Sequence, residues 1–203
     1  MYKLPYFTEP DEKKVMAFIK ENYFAVITGT GERYPVATHI PLEIWHEGDQ
    51  LMLSGHLMKN SDHHKAFLKN ECVLVVFNGP HTYVSASWYT KPASASTWNY
   101  MTVHAKGRIR FGDEASTHKA VKKLTNRYET SDSPAAFDKL APEYVTRLIQ
   151  GIVSFDIVVE ELDNVFKLSQ NHDKATQASI AKHLGGKPDN DSKIIAREML
   201  NRL

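Results

Sequence analysis

Two short segments carry aromatic rings, amides and hydroxyls at positions where an ordinary strand would carry aliphatic side chains. The first is residues 97–100, Thr-Trp-Asn-Tyr, with His104 four residues further on. The second is residues 167–171, Lys-Leu-Ser-Gln-Asn. A tryptophan needs a large pocket, and a buried asparagine needs partners for its whole amide group. The two segments therefore indicate a built site rather than plain packing.

Two further clusters place polar groups beside predicted strands. Residues 39–42 read His-Ile-Pro-Leu, where a strand could turn its backbone amides toward a flat ligand, and an edge strand containing a proline is the alternative. Residues 54–61 read Ser-Gly-His-Leu-Met-Lys-Asn-Ser, which supplies a hydroxyl, a flexible glycine, two potential cations and a helix N-terminus. This combination suits a phosphate group, and a generic polar loop is the alternative.

The aromatic residues suit a flat ring system with a polar edge. Residues 80–89 and 97–100 together contain Trp88, Trp98 and three tyrosines among hydroxyl and amide groups. An isoalloxazine ring needs such stacking area on one side and hydrogen bonds along its pyrimidine edge. Core packing by the two tryptophans is the alternative, and composition taken by itself favours it.

The motifs of several enzyme classes are missing from the sequence. The glycines at 29 and 31 belong to a lone turn with no helix behind it, so they do not form a phosphate-binding fingerprint. There is no His-Glu-x-x-His, no acid pair at helical spacing and no nucleophile elbow. The neighbours His63 and His64 point to different sides of a predicted helix, so we expect them to be solvent-exposed and predict no metal site.

The composition is that of an ordinary globular protein. The chain has 203 residues, of which 42% are hydrophobic and 24% charged, and its net charge is +1. These values fit one domain and give no general attraction to nucleic acid. No apolar run approaches the roughly 20 residues of a membrane span, and no signal peptide is visible, so we expect a cytoplasmic protein. The single cysteine, Cys72, excludes an intrachain disulfide, and we expect it to be buried.

Hydrophobic periodicity predicts six or seven antiparallel strands and a few helices. Extended segments are expected at residues 23–28, 34–42, 42–46, 50–55, 72–77, 81–88, 100–111, 151–160 and 164–168. Turns are expected at 47–49 and 78–80, a loop at 89–96, and a hairpin between the last two strands. Helices are expected at 9–22, 61–70, 113–128 and 141–150, with Ser61 and Asp113 as N-caps. Strands and helices do not alternate regularly, which favours a mainly β (α+β) antiparallel barrel with peripheral helices.

Residues 172–203 are predicted to form a helical tail packed on the domain of residues 1–171. Its two helices are expected at 174–184 and 192–203. The first has the cadence of a helix-turn-helix motif, but residues 185–191 form a longer connection than the usual three or four residues. We therefore expect a docking tail, and the near-zero net charge gives direct DNA binding little support.

A set of longer motifs, spread over most of the chain, matches a known family. The matching residues are Met1-Tyr2 with Phe7, residues 39–42, Gly55-His56 with Asn60, residues 79–89, residues 97–100 with Val103-His104 and Gly107-Arg108, Leu124-Thr125, residues 151–153, and residues 167–171. In these motifs the chain closely resembles the PaiB family of FMN-binding negative transcriptional regulators. Ala95-Ser96 departs from the family, which usually has Val-Pro before Thr-Trp-Asn-Tyr.

The resemblance implies an FMN-binding split β-barrel that forms a homodimer with the flavin between subunits. It gives Lys59 a phosphate-facing role and places residues 98–100 along the ring or the interface. The implied cofactor-binding residues are His39, Ile40, Pro41, Ser54, His56, Lys59, Asn60, Trp98, Asn99, Tyr100, His104, Ser169, Gln170 and Asn171.

Three functions follow as expectations. The family name implies a flavin-binding repressor of transcription. A flavin-dependent oxidoreductase acting on a small substrate is an alternative, in which the cofactor supplies the redox chemistry and His56 and His104 are the only acid or base candidates. Binding of flavin or haem without catalysis is another, although no cysteine motif for haem attachment exists. No residue is assigned a catalytic role.

Overall fold

The structure is a computed structural model that describes residue 1 and residues 4–91 and 95–203. Tyr2, which belongs to one family motif, and the middle of the loop expected at 89–96 lie outside the described residues. The chain divides into two compact units. The terminal unit comprises Met1–Asn22, Phe77–His104 and Asp163–Leu203, and the central unit comprises Tyr23–Val76 and Ala105–Leu162.

In the part of the chain that the structure describes, seven strands form one sheet in the order β2-β1-β5-β6-β7-β4-β3. They are β1 (Phe24–Gly29), β2 (Val36–Pro41), β3 (Glu43–Glu47), β4 (Gln50–Met58), β5 (Cys72–Val84), β6 (Thr97–Phe111) and β7 (Ile152–Lys167). The β1–β2, β1–β5, β3–β4 and β4–β7 pairs are all antiparallel. Burial alternates along β6, as the sequence predicts for a strand with one polar and one apolar face.

The order of the strands requires the sheet of the central unit to curl. Strands β2 and β3 are the two ends of the order, yet Leu42 alone separates them in the chain. A flat sheet could not bring its two edges so close together, because neighbouring strands are about 4.8 Å apart. Leu42 is buried, and its amide donates to the carbonyl of Tyr23 at 2.9 Å. The expected mainly β fold of barrel type with peripheral helices is therefore confirmed.

Within the described ranges, six α-helices accompany the sheet. They are α1 (Glu12–Glu21), α2 (Asp62–Lys69), α3 (Glu114–Tyr128), α4 (Pro142–Gln150), α5 (Lys174–Gly185) and α6 (Asn190–Leu200). Both predicted N-caps are confirmed, since Ser61 accepts a hydrogen bond from the amide of His64 and Asp113 accepts one from the amide of Ser116. No helix among the described residues combines the length and the apolar character needed to cross a bilayer.

Two predicted turns are wrong, because β5 and β7 run straight through them. In β5, Gly79 is needed for close packing instead: a Cβ atom there would lie 2.3 Å from Cε2 of Phe18. In β7, no hairpin divides residues 160–164. Asn164 instead bonds the backbone of Glu9 twice, accepting from its amide at 2.8 Å and donating to its carbonyl at 3.1 Å.

Three further expectations are wrong. Cys72 is exposed, because it opens β5 on the outward-facing side of the strand. His63 and His64 are half-buried, since their rings pack on Phe67 and Phe111. The connection between α5 and α6 covers residues 186–189 only, because Asp189 caps α6 earlier than the sequence suggests. The boundary between residues 171 and 172 stays a prediction.

Candidate functional site

The residues predicted to bind the cofactor belong to both units. The central unit contains the set from β2, β4 and the segment after β4, which is His39, Ile40, Pro41, Ser54, His56, Lys59 and Asn60. The terminal unit contains the set from β6 and the segment after β7, which is Trp98, Asn99, Tyr100, His104, Ser169, Gln170 and Asn171.

Three side chains near the end of β4 offer hydrogen-bond donors that the protein leaves unused. His56, Lys59 and the side chain of Asn60 form no hydrogen bond or ion pair with any residue that the structure describes. Burial lowers the pKa of His56, which favours its neutral form. The Asp62 carboxylate bonds the amide and the imidazole of His63, at 2.7 and 3.1 Å, and not the ammonium group of Lys59. The segment therefore keeps a cation, an amide and an imidazole available for a ligand.

Asn60 has the backbone conformation of a tight turn. Its φ is 63°, in the left-handed region that asparagine tolerates better than most residues. The Lys59 amide donates to the carbonyl of Gly151 at 2.9 Å, and the Asn60 amide donates to Nδ1 of His64 at 3.1 Å. These bonds fix the backbone of the segment, so Lys59 and Asn60 sit on a defined turn between β4 and α2.

Ser54 is engaged within the protein. Its hydroxyl donates to the Asp156 carboxylate at 2.5 Å and accepts from the indole of Trp45 at 2.6 Å. The sequence interpretation missed Asp156, although an acid between Phe155 and Ile157 in an apolar strand was a signal for it. The structure therefore gives Ser54 a role in orienting β3, β4 and β7 alongside the ligand role predicted for it.

The three residues from β2 differ in what they can present. Ile40 is 5% exposed and packs in the core of the central unit, so its side chain is not available to a ligand. His39 is exposed, and its ring stacks on Phe24 with 6.3 Å between the ring centroids. Pro41 is half-buried at the end of the strand. Since β2 is an edge of the sheet, backbone groups on its outer side have no strand partner.

In the terminal unit, Asn99 and Ser169 form a direct pair across 70 positions of sequence. The Asn99 amide donates to Oγ of Ser169 at 3.0 Å, and the Ser169 hydroxyl donates to Oδ1 of Asn99 at 3.1 Å. Asn99 is completely buried and Ser169 is 1% exposed. The structure thus brings together the two opening segments, as a buried polar pair that joins β6 to the segment after β7.

The residues around Ser169 differ in how far hydrogen bonds within the protein occupy their side chains. The Gln170 side chain closes its own turn, accepting from the amide of Leu168 at 2.7 Å and donating to the carbonyl of Phe166 at 2.5 Å. Asn171 is exposed, while Tyr100 and His104 are half-buried. Lys167 donates to the Thr97 hydroxyl at 2.5 Å, and burial lowers the pKa of its ammonium group.

Trp98 belongs to an exposed aromatic cluster rather than to the core. It is 54% exposed, and its ring lies 6.1 Å from that of His81 and 6.0 Å from that of Tyr83. Both partners lie in the segment 80–89, which the sequence predicts as part of an aromatic wall for a flavin, although neither is among the fourteen cofactor-binding residues that the resemblance implies. The side-chain alternation of β5 and β6 explains the cluster, because all three rings stand on outward-facing positions.

Each unit, taken by itself, offers a feature that suits one part of a flavin mononucleotide. In the central unit, the unused donors of His56, Lys59 and Asn60 match the needs of a phosphate group. In the terminal unit, the cluster of His81, Tyr83 and Trp98 offers stacking area. A metal centre finds no such support. Among the described residues, no group of three or more His, Cys, Asp or Glu side chains could hold a metal ion.

Comparison with known proteins agrees with this chemistry. The family FMN_bind_2, described as "Putative FMN-binding domain", matches residues 1–161. "Protease synthase and sporulation protein PAI 2" of Bacillus subtilis is 31% identical over 204 residues, covering 100% of this chain and 98% of the relative.

Two solved structures share the fold at low sequence identity. The flavocytochrome Anf3 of Azotobacter vinelandii has a TM-score of 0.62 and 16% identity, covering 82% of this chain and 72% of that one. The FAD and heme binding protein of Mycobacterium smegmatis has a TM-score of 0.56 and 13% identity, covering 79% and 73%. Together, the family match and the full-length relative show that this chain belongs to the PaiB family of FMN-binding split-barrel proteins.

Proposed function

We propose that this protein binds FMN as a homodimer and acts in the cytoplasm as a negative regulator of transcription. The observation that carries the FMN assignment is the set of unused donors near the end of β4, which lies inside the stretch matched by the FMN-binding family. Lys59 meets the phosphate as a cation, and His56 and Asn60 donate to its oxygens. The flavin, when bound, supplies its own redox chemistry, and the protein supplies position and hydrogen bonds.

The proposed dimer has support from the aromatic cluster of the terminal unit. Trp98 and Tyr83 are 54% and 45% exposed, although large aromatic side chains gain most when they are covered. Exposed aromatic rings that lie together are typical of surfaces that meet a ligand or another chain. A second copy of this chain, or the flavin held by it, covers the cluster.

Titration of FMN into the purified protein, followed by quenching of flavin fluorescence, tests the cofactor assignment. Lys59→Ala should weaken FMN binding by about 10- to 100-fold, because it removes a charge-assisted hydrogen bond of about 1.5–3 kcal/mol. The matched control is Lys65→Ala, which removes an exposed lysine from α2. A protein that takes up no FMN would overturn the assignment, and equal affinities in the two variants would remove Lys59 from the site.

Transcription is tested separately from flavin binding. The name of the Bacillus subtilis relative links that protein to protease synthesis and sporulation. In the organism that encodes this chain, deletion of its gene should raise a defined set of transcripts, and a plasmid copy should lower them again. Unchanged transcripts would overturn the regulatory role while leaving FMN binding intact. Bleaching of the bound flavin by NAD(P)H would support an oxidoreductase instead.

A further inference from the structure

The backbone of Asn60 is held in its turn by a side chain, the imidazole of His64 in the first turn of α2. The Asn60 amide donates to Nδ1 of that ring at 3.1 Å. The φ of Asn60 is 63°, in the left-handed region, which a residue with a side chain adopts less readily than an extended or helical conformation. In the described part of the chain, His64 is the only residue that bonds the Asn60 backbone. The hydrogen bond to Nδ1 therefore stabilises an otherwise unfavourable conformation.

The His64 ring has a defined position of its own. It lies edge-on to the ring of Phe111, with 4.9 Å between the ring centroids and 85° between the ring planes. The backbone amide of His64 donates to the Ser61 hydroxyl at 3.3 Å, and that hydroxyl donates to the carbonyl of Met58 at 2.9 Å. Packing thus fixes the ring, and the helix cap fixes the backbone that carries it. Both contacts keep Nδ1 beside the Asn60 amide.

The hydrogen bond from Asn60 requires a neutral imidazole at position 64. A ring nitrogen can accept only when it carries no proton, so the proton of the neutral ring is on Nε2. Burial lowers the pKa of His64, and the positive charges of His63, Lys59 and Lys65 lower it further. The carboxylate nearest in sequence, that of Asp62, bonds His63 instead. The surroundings of His64 therefore favour the form in which Nδ1 accepts.

The conformation of the turn decides where two unused donors lie. The side chains of Lys59 and Asn60 both start from this turn, and neither forms a hydrogen bond or ion pair with any residue that the structure describes. Hydrogen bonds to an anion are strong only within a narrow range of distances and angles. If the turn adopted its binding conformation in only a fraction of the molecules, the apparent affinity for an anion would fall by that fraction.

We propose that His64 is a positioning residue for the phosphate group of the flavin, because its Nδ1 holds the turn of Lys59 and Asn60 in the conformation that binds. This role rests on the proposed FMN binding, and it names the residue that shapes the phosphate end of that site. His64 acts on the ligand through the turn. Its effect therefore concerns the phosphate group and not the isoalloxazine ring.

Two substitutions at position 64 separate the acceptor from the ring. His64→Phe keeps a ring against Phe111 and removes the acceptor. His64→Asn removes the ring but keeps an acceptor, because the side-chain oxygen of asparagine is the same number of bonds from Cα as Nδ1 of histidine. The affinities of the full-length variants for FMN and for riboflavin, the same flavin without its phosphate, are measured at neutral pH by quenching of flavin fluorescence. Circular dichroism checks that each variant folds.

His64→Phe should weaken FMN binding by about two- to tenfold, the factor for one ordinary hydrogen bond, and leave riboflavin binding unchanged. His64→Asn should bind both flavins like the wild-type protein. The matched control is His118→Phe in α3. Its ring also lies edge-on to a phenylalanine, Phe137, at 5.1 Å, but it forms no hydrogen bond with any residue in the described ranges. This control should bind both flavins like the wild-type protein.

Three results would overturn the role of His64 while leaving the phosphate site in place, provided that Lys59→Ala still weakens FMN binding. The first is wild-type FMN affinity in His64→Phe. The second is an equal loss in His64→Phe and His64→Asn, because packing of the ring would then explain it. The third is an equal loss of FMN and riboflavin affinity in His64→Phe. If the wild-type protein binds FMN no more tightly than riboflavin, the phosphate site at this turn is wrong, and the role of His64 is wrong with it.

Discussion

At the scale of single residues, Asn99 and Ser169 belong to the candidate site, and their hydrogen bonds also contribute to the stability of the protein. Both side chains are buried and satisfy each other. Ser169 also has a φ of 64°, a left-handed conformation that costs a residue with a Cβ atom about 1–2 kcal/mol. Ser169 therefore has a strained backbone conformation, and in this conformation its hydroxyl bonds the Asn99 amide.

Two substitutions at Ser169 separate these effects. Ser169→Ala should lower the free energy of unfolding by about 1–3 kcal/mol, because it leaves the buried Asn99 amide with only the weak acceptor Sδ of Met199 at 3.6 Å. Ser169→Gly loses the same hydroxyl but relieves the left-handed strain, so it should lose less. Urea denaturation of both variants without FMN measures the order. A glycine variant less stable than the alanine variant would contradict the argument from strain.

The desolvation of His56 predicts how the stability of the protein depends on pH. Burial lowers its pKa in the folded state below the value of about 6.5 for an unfolded chain. The unfolded state then binds the proton more readily, so this contribution is fully present above about pH 6.5 and is lost as pH falls through the folded pKa.

His56→Gln should therefore flatten the decline in the free energy of unfolding between about pH 7 and pH 5. Some decline should remain, because burial lowers the pKa of His64 as well, with help from the positive charges of His63, Lys59 and Lys65. Denaturation curves at several pH values give the comparison. An unchanged pH profile in the variant would show that His56 is as well solvated in the folded state as in the unfolded one.

The sequence could predict which residues are chemically unusual, but not which of them meet. Asn99 and Ser169 both belonged to the predicted set because their types are costly to bury. Their pairing depends on how β6 and the segment after β7 come together, which local patterns do not contain. Cys72 shows a second limit of local patterns. The apolar run predicts a buried strand, but it does not predict which end of the strand is exposed to solvent.

At the scale of elements, Gly79 shows why a turn signal can mislead. The dipeptide Gly-Pro is common in turns, yet here it lies inside β5. The glycine is required because the Phe18 ring and the carbonyl of Met101 approach it closely. Helix caps and the turn at 47–49 could be predicted, because their signals depend only on neighbouring residues.

Gly79→Ala should therefore destabilise the protein by about 1–3 kcal/mol, the usual cost of overpacking. The control is Gly186→Ala in the turn before α6. That residue has ordinary right-handed backbone angles, and its added Cβ would lie 3.6 Å or more from its neighbours. The control should be neutral or stabilising by about 0.4–1 kcal/mol. Thermal denaturation compares the stabilities of the two variants. Equal stability in both would mean that β5 shifts to accommodate the added methyl group.

At the scale of the whole molecule, the fold class was predictable because strand count and the irregular placement of helices limit the possible topologies. The curl of the sheet was not predictable, since it depends on the strand order. In that order β2 and β3 are the two ends, although they adjoin in the sequence. The connection between α5 and α6 was predicted to be longer than it is, because helix ends are the hardest bounds to predict. The docking role of the tail stays a prediction.

The exposure of Trp98 makes the proposed homodimer testable without loss of the fold. A core tryptophan replaced by alanine costs about 3–5 kcal/mol, but Trp98 is 54% exposed and contacts the rings of His81 and Tyr83 only at the surface. Trp98→Ala should therefore leave a folded chain, shift the equilibrium from dimer to monomer and weaken FMN binding at the same time.

Analytical ultracentrifugation with and without FMN measures the shift from dimer to monomer. The control is Tyr34→Ala, at a residue 68% exposed in the central unit. A Trp98→Ala protein that stays dimeric and keeps its flavin would place the interface elsewhere. Dissociation of both variants would mean that the loss of any exposed aromatic side chain destabilises the dimer, and not the loss of this cluster in particular.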